Sequence, residues 1–206
     1  MTEEGRSSFL IVGLGNPGKA YESTRHNMGF LVGQALAKRW GIAFENKKDF
    51  QAQLAKTEVG EHKVMVLLPT TYMNLSGQSV RRCVDFFKIE LSRVLVVCDD
   101  VEIPFGKLRF KSKGSSGGHN GLKSIEAYLG TPEYFRLRLG VGKEEGKDLA
   151  DFVLETFRAQ ELEALPVLIR QAAELVEIWV KEGYRKALEW LSHPQRQESK
   201  KIIQED

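Results

Sequence analysis

The sequence predicts an α/β fold: a single domain with a mixed, mostly parallel, twisted β-sheet flanked by helices, and a long C-terminal helix. Short apolar segments, such as residues 9–14 and 94–98, alternate along the chain with segments in which apolar residues recur at helical spacing. The 206 residues contain no long polar or proline-rich interruption, and this length suits one domain with a sizeable core. We therefore expect one domain over residues 1–206, with flexible tails at 1–8 and 192–206.

The first half of the chain supplies the elements of the sheet in order. Residues 9–14 form an apolar run that ends in a Gly/Pro cluster, which is typical of a buried strand followed by a loop. Apolar residues then recur at helical spacing from Met28 until Gly41, which is a plausible helix stop. Four further elements follow: strands at 50–59 and 63–68 that form a hairpin, a helix marked by Val80, Val84 and Phe87, and a buried strand at 92–98.

The second half begins with a strand whose two faces differ sharply. Apolar and basic residues alternate through 106–113, so one face of this strand is expected to carry four cations: Lys107, Arg109, Lys111 and Lys113. A strand at 134–141 then places Arg136 and Arg138 on one face, and the two basic faces are candidates for one continuous surface.

Two helices complete the second half. A glycine-rich loop at 114–119 leads into a helix that carries Leu122, Ile125 and Leu129. One long amphipathic helix is expected from 159 to 191, with Gly183 as a break. The Gly and charge content of residues 142–157 suggests a mobile segment beside the site.

Composition and charge exclude several classes of protein. The longest apolar runs fall far short of the roughly 20 residues that a membrane-spanning helix requires. The N-terminus carries Glu3 and Glu4 rather than a basic region followed by an apolar stretch, so it does not resemble a secretory signal. Two cysteines, Cys83 and Cys98, suit a reducing compartment better than a disulfide framework, and we expect a cytoplasmic protein. A net charge of +2 does not by itself indicate a nucleic-acid-binding protein.

The first conspicuous motif is the glycine loop at residues 13–18, which matches the G-x-G-x-x-G pattern of dinucleotide-binding folds. In those folds the helix opens within the glycine motif, so that its N-terminal amides meet the pyrophosphate. Here the apolar helical period starts only near Met28, and Glu45 and Asp49 lie in a lysine-rich turn rather than at the end of a strand. We therefore disfavour dinucleotide binding.

Two of the four histidines, His26 and His119, are followed by asparagine and lie in loops just before helices. Loop placement favours a functional role, because binding and catalytic residues concentrate in loops. A histidine can take a proton from water near neutral pH when a carboxylate fixes its tautomer and stabilises the imidazolium. Asp99 is the better candidate for this carboxylate in the pair Asp99-Asp100, because open α/β sheets present functional groups at the carboxyl ends of their strands.

The sequence supports a metal site or a serine nucleophile less well than a histidine that activates water. The sequence contains no H-x-x-x-H, C-x-x-C or H-E-x-x-H pattern, so we expect no metal and no other cofactor. No G-x-S-x-G elbow is present either, and activated water is the simpler nucleophile.

Four segments in the same order closely resemble the bacterial peptidyl-tRNA hydrolase family, and the similarity runs from about Phe9 to at least Trp190. They are GLGNPG at 13–18, TRHN at 24–27, PTTYMNLSG at 69–77 and GGHNGLK at 117–123. The resemblance implies a metal-free, monomeric hydrolase that cuts the ester bond of prematurely released peptidyl-tRNA. One departure is Cys98, which stands where family members often carry His or Tyr.

The resemblance also assigns roles by position. It implies that His26 is the catalytic base and Asp99 the carboxylate that orients it, while three amides hold the peptide, the water or the ester carbonyl: Asn16, Asn74 and Asn120. We expect five residues to bind substrate nearby: Tyr21, Tyr72, Met73, Gly117 and His119.

The one-sided basic strand has an ordinary explanation, a solvated edge that lysines protect against aggregation. Two details favour phosphate binding instead, since no acidic residue lies between Glu102 and Glu126 and a second basic strand follows. We expect the acceptor stem and 3′ CCA end of peptidyl-tRNA to contact five residues: Lys107, Arg109, Lys111, Lys113 and Arg138. The glycine loop at 114–118 is a further candidate for phosphate contacts through backbone N–H groups.

Two alternatives from other functional classes remain open at this point. A catalytically inactive RNA-binding relative would keep the groove and lose the chemistry. An esterase for a smaller aminoacyl or nucleotide ester would keep the chemistry and need no basic surface. No membrane contact and no obligate protein partner are expected.

Overall fold

The protein, described here over residues 8–193 by a computed structural model, is built on one seven-stranded mixed sheet with the strand order β2-β3-β4-β1-β5-β7-β6. The strands are β1 (Ser8–Gly13), β2 (Glu45–Lys47), β3 (Ala52–Val59), β4 (His62–Pro69), β5 (Val94–Asp100), β6 (Leu108–Lys111) and β7 (Phe135–Gly140). The helices are α1 (Met28–Trp40), α2 (Ser76–Phe87), α3 (Asn120–Leu129), α4 (Leu149–Val153), α5 (Ala159–Glu182) and α6 (Tyr184–Ser192).

The centre of the sheet is parallel and its edges are antiparallel. β1 pairs in parallel with both β4 and β5, and β5 pairs in parallel with β7. β2 and β3 extend one edge and β6 the other, each by antiparallel pairing. The predicted α/β class with a mixed sheet and the predicted hairpin, now β3–β4, are confirmed. The short edge strand β2 is an addition to the prediction.

Helices cover both faces because side chains alternate along the strands. Ile11 of β1 packs with α1 and α5 on one face, whereas Leu10 and Val12 pack with α2 and α3 on the other. The predicted long C-terminal helix is present and is interrupted at Gly183, where α5 ends and α6 follows. Within the described residues, no helix is long and apolar enough to cross a membrane.

Some predicted boundaries are wrong by a few residues. The basic strand expected at 106–113 is shorter, since β6 covers Leu108–Lys111 alone. Ser8 already belongs to β1 and Ser192 still belongs to α6, so each expected tail overlaps an ordered element by one residue. Of the rest of those tails, His193 is described, as the residue that follows α6, and residues 1–7 and 194–206 lie outside the described residues.

A close approach between β1 and α1 positions the loop that joins them. A Cβ on Gly13 would lie 2.3 Å from the carbonyl oxygen of Gly29, and a Cβ on Gly29 would lie 2.2 Å from the backbone nitrogen of Leu14. The first glycine of the 13–18 motif therefore serves helix–strand packing. Because α1 begins only at Met28, the loop 14–27 folds back over the carboxyl ends of β1 and β5.

Candidate active site

A cleft of about 260 Å³ opens at the carboxyl end of β5, between the loop that precedes α1, the start of α3 and the short helix α4. Polar groups form one side and an apolar wall from α4 forms the other. The residues that line the cleft include His26, Asp99, Asp100, Gly117, His119, Asn120, Arg138, Leu149 and Val153.

His26 lies in a single 3-10 turn, Arg25–Asn27, which directly precedes α1. Its Nδ1 lies 2.9 Å from Oδ1 of Asp99, the sixth residue of β5, which is 2% exposed. Burial lowers the pKa of His26, but the charge of Asp99 and the hydrogen bond to it outweigh that effect and raise the pKa above its ordinary value. With Nδ1–H donating to the carboxylate, the lone pair of Nε2 is left as the basic site.

His119 approaches the same carboxylate from the N-terminus of α3. Its Nε2 lies 3.1 Å from Oδ1 of Asp99, and its Nδ1 accepts hydrogen bonds from the backbone N–H groups of Gly121 and Leu122. Because Nδ1 is an acceptor, the proton of neutral His119 is on Nε2 and points at Asp99. Burial of Asp99 opposes its ionisation, but the two histidines together hold the pKa of its carboxyl far below the usual range.

His26, Asp99 and His119 also place three potential metal-ligand atoms within 4.8 Å of one another. A metal at this point would require His119 to present an unprotonated Nε2, whose tautomer would put a proton on Nδ1. That proton would oppose the N–H groups of Gly121 and Leu122. The hydrogen bonds therefore fit a metal-free carboxylate better than a metal centre.

Asn16 is fixed beside this group by its neighbours. Its backbone N–H donates to Oδ1 of Asn27 at 2.8 Å, and Nδ2 of Asn27 donates to its carbonyl oxygen at 3.0 Å. Its own Oδ1 accepts the backbone N–H of Met73 at 2.8 Å. The side-chain NH₂ of Asn16 is thus left as a hydrogen-bond donor. Asn27, whose role the sequence did not suggest, sets this orientation.

Met73 links the first loop to α3. It belongs to the 3-10 turn Met73–Leu75 before α2, and a Cβ on Gly121 would lie 2.6 Å from its Sδ. Glycine at 121 therefore lets the turn pack against the start of α3. This contact holds the next residue, Asn74, near the N-terminus of the helix that begins at Asn120.

Asn74 and Asn120 are exposed, and their side chains have no hydrogen-bond partner among residues 8–193. Both are therefore available to a ligand. Tyr72 is 60% exposed beside Met73. Tyr21 is half-buried in the turn Lys19–Tyr21, where its carbonyl oxygen accepts the hydroxyl of Thr24 at 2.8 Å. Five of the predicted catalytic and substrate-binding residues are not part of the cleft lining: Asn16, Tyr21, Tyr72, Met73 and Asn74.

A second, basic cleft of about 220 Å³ adjoins the first. It is lined by the expected phosphate-binding residues Arg109, Lys111, Lys113 and Arg138, whereas Lys107 is not part of the lining. β6 and β7 are neighbours in which Arg109 pairs with Arg138 and Lys111 with Arg136, so the two predicted basic faces do adjoin.

Arg136 is a buried member of the basic face that was expected on β7. It is 1% exposed, and its guanidinium donates to Glu126 of α3 and to the carbonyl oxygens of Pro132 and Tyr134. Strand alternation puts Arg136 on the same face as Arg138, but α3 covers that part of the face. Arg136 therefore stabilises the fold: it still contributes to the lining of the basic cleft, but its guanidinium is already engaged by Glu126, Pro132 and Tyr134.

The two clefts meet at Arg138. Its Nη1 donates to Oδ2 of Asp100 at 2.9 Å and its Nη2 donates to the carbonyl oxygen of Ser115 at 2.6 Å. A Cβ on Gly117, which has a φ of 60°, would lie 2.8 Å from Nη1 of Arg138. Gly117, Asp100 and Arg138 line both clefts and form the divide between them.

The sequence did not suggest the apolar wall of the first cleft. α4 lies within the segment 142–157, is capped by the side chain of Asp148, and contributes Leu149 and Val153. The departure noted at Cys98 is accommodated in the core: Cys98 is fully buried with the cluster under α2 and α3. Burial raises the pKa of its thiol, so it is unsuited to nucleophilic chemistry.

Comparison with known proteins shows close relatives over most of the chain. The family described as peptidyl-tRNA hydrolase matches residues 10–201. A peptidyl-tRNA hydrolase of Carboxydothermus hydrogenoformans is 46% identical over 180 residues, covering 87% of this chain and 96% of the relative. One of Nocardia farcinica is 44% identical over 188 residues, covering 91% and 97%. The crystal structure of peptidyl-tRNA hydrolase from Acinetobacter baumannii is similar with a TM-score of 0.85 at 36% identity, covering 89% of this chain and 93% of that one.

Proposed function

The chain belongs to the peptidyl-tRNA hydrolase family, and we propose that His26 and Asp99 carry out its activity, hydrolysis of the ester between a peptide and the 3′-terminal ribose of tRNA. The observation that carries this proposal is the 2.9 Å contact between Nδ1 of His26 and Oδ1 of Asp99, in a cleft that adjoins a basic one. This arrangement supplies an oriented base next to a surface suited to phosphates.

In the first step, Nε2 of His26 takes a proton from a water molecule as the water oxygen attacks the ester carbonyl carbon. Asp99 holds the ring in the required tautomer and stabilises the imidazolium that forms. The tetrahedral intermediate then collapses, the bond to the ribose oxygen breaks, and the proton on His26 passes to that oxygen. The products are a peptide carboxylic acid, which releases its proton to solvent and becomes the carboxylate, and tRNA with a free 3′ hydroxyl.

The developing oxyanion needs hydrogen-bond donors, and the asparagines provide them. Asn74 follows Met73 and Asn120 precedes Gly121, and the side-chain amides of both asparagines have no hydrogen-bond partner among residues 8–193. The NH₂ of Asn16 is the third donor, because its Oδ1 is already used by Met73. We assign the oxyanion to Asn74 or Asn120 and the positioning of the peptide to Asn16.

The basic cleft binds the acceptor end of the tRNA in this proposal. Lys111 and Arg109 are exposed cations on β6, and the loop 114–118 lies between them and the cleft of His26. Phosphate contacts fix register without reading sequence, so many different tRNAs are accepted. In this arrangement Tyr72 and the wall of α4 contact the peptide and the terminal adenosine.

We further propose that the enzyme acts as a monomer in the cytoplasm, without a cofactor or an obligate protein partner. The clefts described above are formed by one chain, and peptidyl-tRNA is a product of translation. Nothing in the comparisons favours the alternative of a catalytically inactive relative.

The test compares hydrolysis of N-blocked peptidyl-tRNA with hydrolysis of an N-blocked aminoacyl adenosine. We expect a much larger kcat/KM for the tRNA substrate, because only that substrate reaches the basic cleft. Equal values for the two substrates would favour the esterase for small esters, and no hydrolysis of either would favour the inactive relative.

A further inference from the structure

Arg25, the residue before His26, has a charged side chain that is buried at 1% exposure. Its guanidinium is held by groups that all come from one distant segment. Nη1 donates to the carbonyl oxygen of Thr156 at 2.9 Å and Nη2 to Oε2 of Glu161 at 2.7 Å, while the guanidinium carbon lies 4.3 Å from the centre of the Phe152 ring. A single side chain thus joins the turn of His26 to residues 152–161.

The backbone makes the same connection. The N–H of Arg25 donates to the carbonyl oxygen of Glu155 at 3.1 Å, and Thr24 forms an isolated antiparallel bridge with Thr156. The residues on the far side of this junction include α4, whose Leu149 and Val153 wall the cleft of His26. The side-chain tie therefore connects the base and the opposite wall of the cleft.

The hydrogen bonds of the Arg25 guanidinium fix the relative orientation of the two segments that they join. A buried guanidinium is costly unless it is paired and hydrogen-bonded, and the planar fork of arginine fixes both partners at defined angles. Apolar side chains at the same point would fill the space without fixing the angle between the two segments. Glu161, in the first turn of α5, also accepts the backbone N–H of Arg158 and so anchors the tie to the start of that helix.

We propose that Arg25 is a positioning residue of the hydrolase: by tying residues 152–161 to the His26 turn, it sets the orientation of the base against the α4 wall. The inference rests on the proposed role of His26. Loss of the tie leaves the catalytic groups present but less exactly placed, and a misplacement of about 1 Å lowers turnover on the order of 10²-fold.

The experiment measures kcat and KM with peptidyl-tRNA, together with amide hydrogen exchange of residues 149–157, for Arg25→Gln and Arg25→Lys. The matched control is Arg39→Gln, which removes another arginine–glutamate contact between the α1 region and α5, that of Arg39 with Glu177 at 2.5 Å. Glu161→Gln is the second variant, because glutamine keeps the bond to the N–H of Arg158 but removes the charge that pairs with Arg25.

We expect Arg25→Gln to lower kcat about 10- to 100-fold, with a smaller change in KM and faster exchange at 149–157. Arg25→Lys and Glu161→Gln give smaller losses of the same kind, and Arg39→Gln leaves kcat and this exchange unchanged. If Arg25→Gln does not fold, kcat and the hydrogen exchange of residues 149–157 in Glu161→Gln test the proposal instead. Normal kcat in the folded variants, or faster exchange throughout the protein with normal kcat, overturns the proposal and leaves a structural role for Arg25. His26→Ala in the same assay tests the base separately.

Discussion

His26 and His119 converge on one oxygen atom, Oδ1 of Asp99, with their ring centroids 4.7 Å apart. Each ring donates one N–H to this oxygen, from Nδ1 in His26 and from Nε2 in His119. The carboxylate is therefore stabilised from two sides. Of the two rings, His26 is the one that keeps a nitrogen, Nε2, without a hydrogen bond to any residue between 8 and 193. Because both rings interact with the same carboxylate, a change in either Asp99 or His119 is expected to shift the pH at which His26 becomes protonated.

The acid limb of the pH profile is expected above the ordinary histidine pKa. Asp99 raises the pKa of His26 in spite of its burial, and a histidine acts as a general base only when it is neutral. Activity is thus lost as pH falls through this raised pKa. A profile of kcat/KM against pH should bend above about 6.5. A bend at lower pH would contradict the account of the His26–Asp99 pair.

Asp99→Asn should move that limb in the opposite direction. Without the carboxylate, burial alone remains and lowers the pKa of His26. The ring also loses its oriented tautomer, so kcat is expected to fall about 10³- to 10⁴-fold. Residual activity with an acid limb at or above the wild-type position would show that Asp99 does not act on His26.

His119→Asn separates the two contacts of His119. Asparagine is a good N-cap, so α3 keeps a bond to its first N–H groups and the free energy of unfolding changes by about 1 kcal/mol or less. The shorter side chain gives up the contact with Asp99, whose charge then acts on His26 alone. The acid limb should move to higher pH. An unchanged limb in the folded variant would mean that His119 serves only as a helix cap.

Lys111→Gln tests the basic cleft. Removal of one phosphate contact should raise KM, leave kcat nearly unchanged, and reduce the slope of log affinity against log salt by about 1. Lys107→Gln is the control, because this lysine does not line the cleft and its loss should have a smaller effect. Arg138 is a poorer test, since it also holds Asp100 and the loop at Ser115. A lower kcat with unchanged KM in Lys111→Gln would argue against phosphate binding here.

Local patterns predicted the elements with strong apolar periodicity. β1, β4, β5 and α1 follow directly from their apolar runs and helical spacing. β2 was missed because Glu45, Asn46 and Lys47 are polar and form a three-residue edge strand, which has no apolar alternation. α4 was missed because five residues are too few to show a helical period.

His26 and Asp99 could be predicted as site residues from the sequence, because they occupy loop and strand-end positions where catalytic groups are expected. The sequence did not predict the roles of Arg25, Asn27 and the wall of α4, because their contacts join residues far apart in the chain. Arg25 and Glu161, for example, are separated by 136 residues. The burial of Arg136 was not predicted, because strand alternation does not reveal that α3 covers part of the face that carries Arg136 and Arg138.

The most direct test of the central claim is single-turnover cleavage of N-blocked peptidyl-tRNA by the wild type and by His26→Ala, with binding of the substrate measured in parallel. The expected result is a loss of at least about 10² to 10⁴ in the cleavage rate, the contribution of general-base catalysis, with tRNA binding retained through the basic cleft. A variant that cleaves at nearly the wild-type rate would show that another group activates the water.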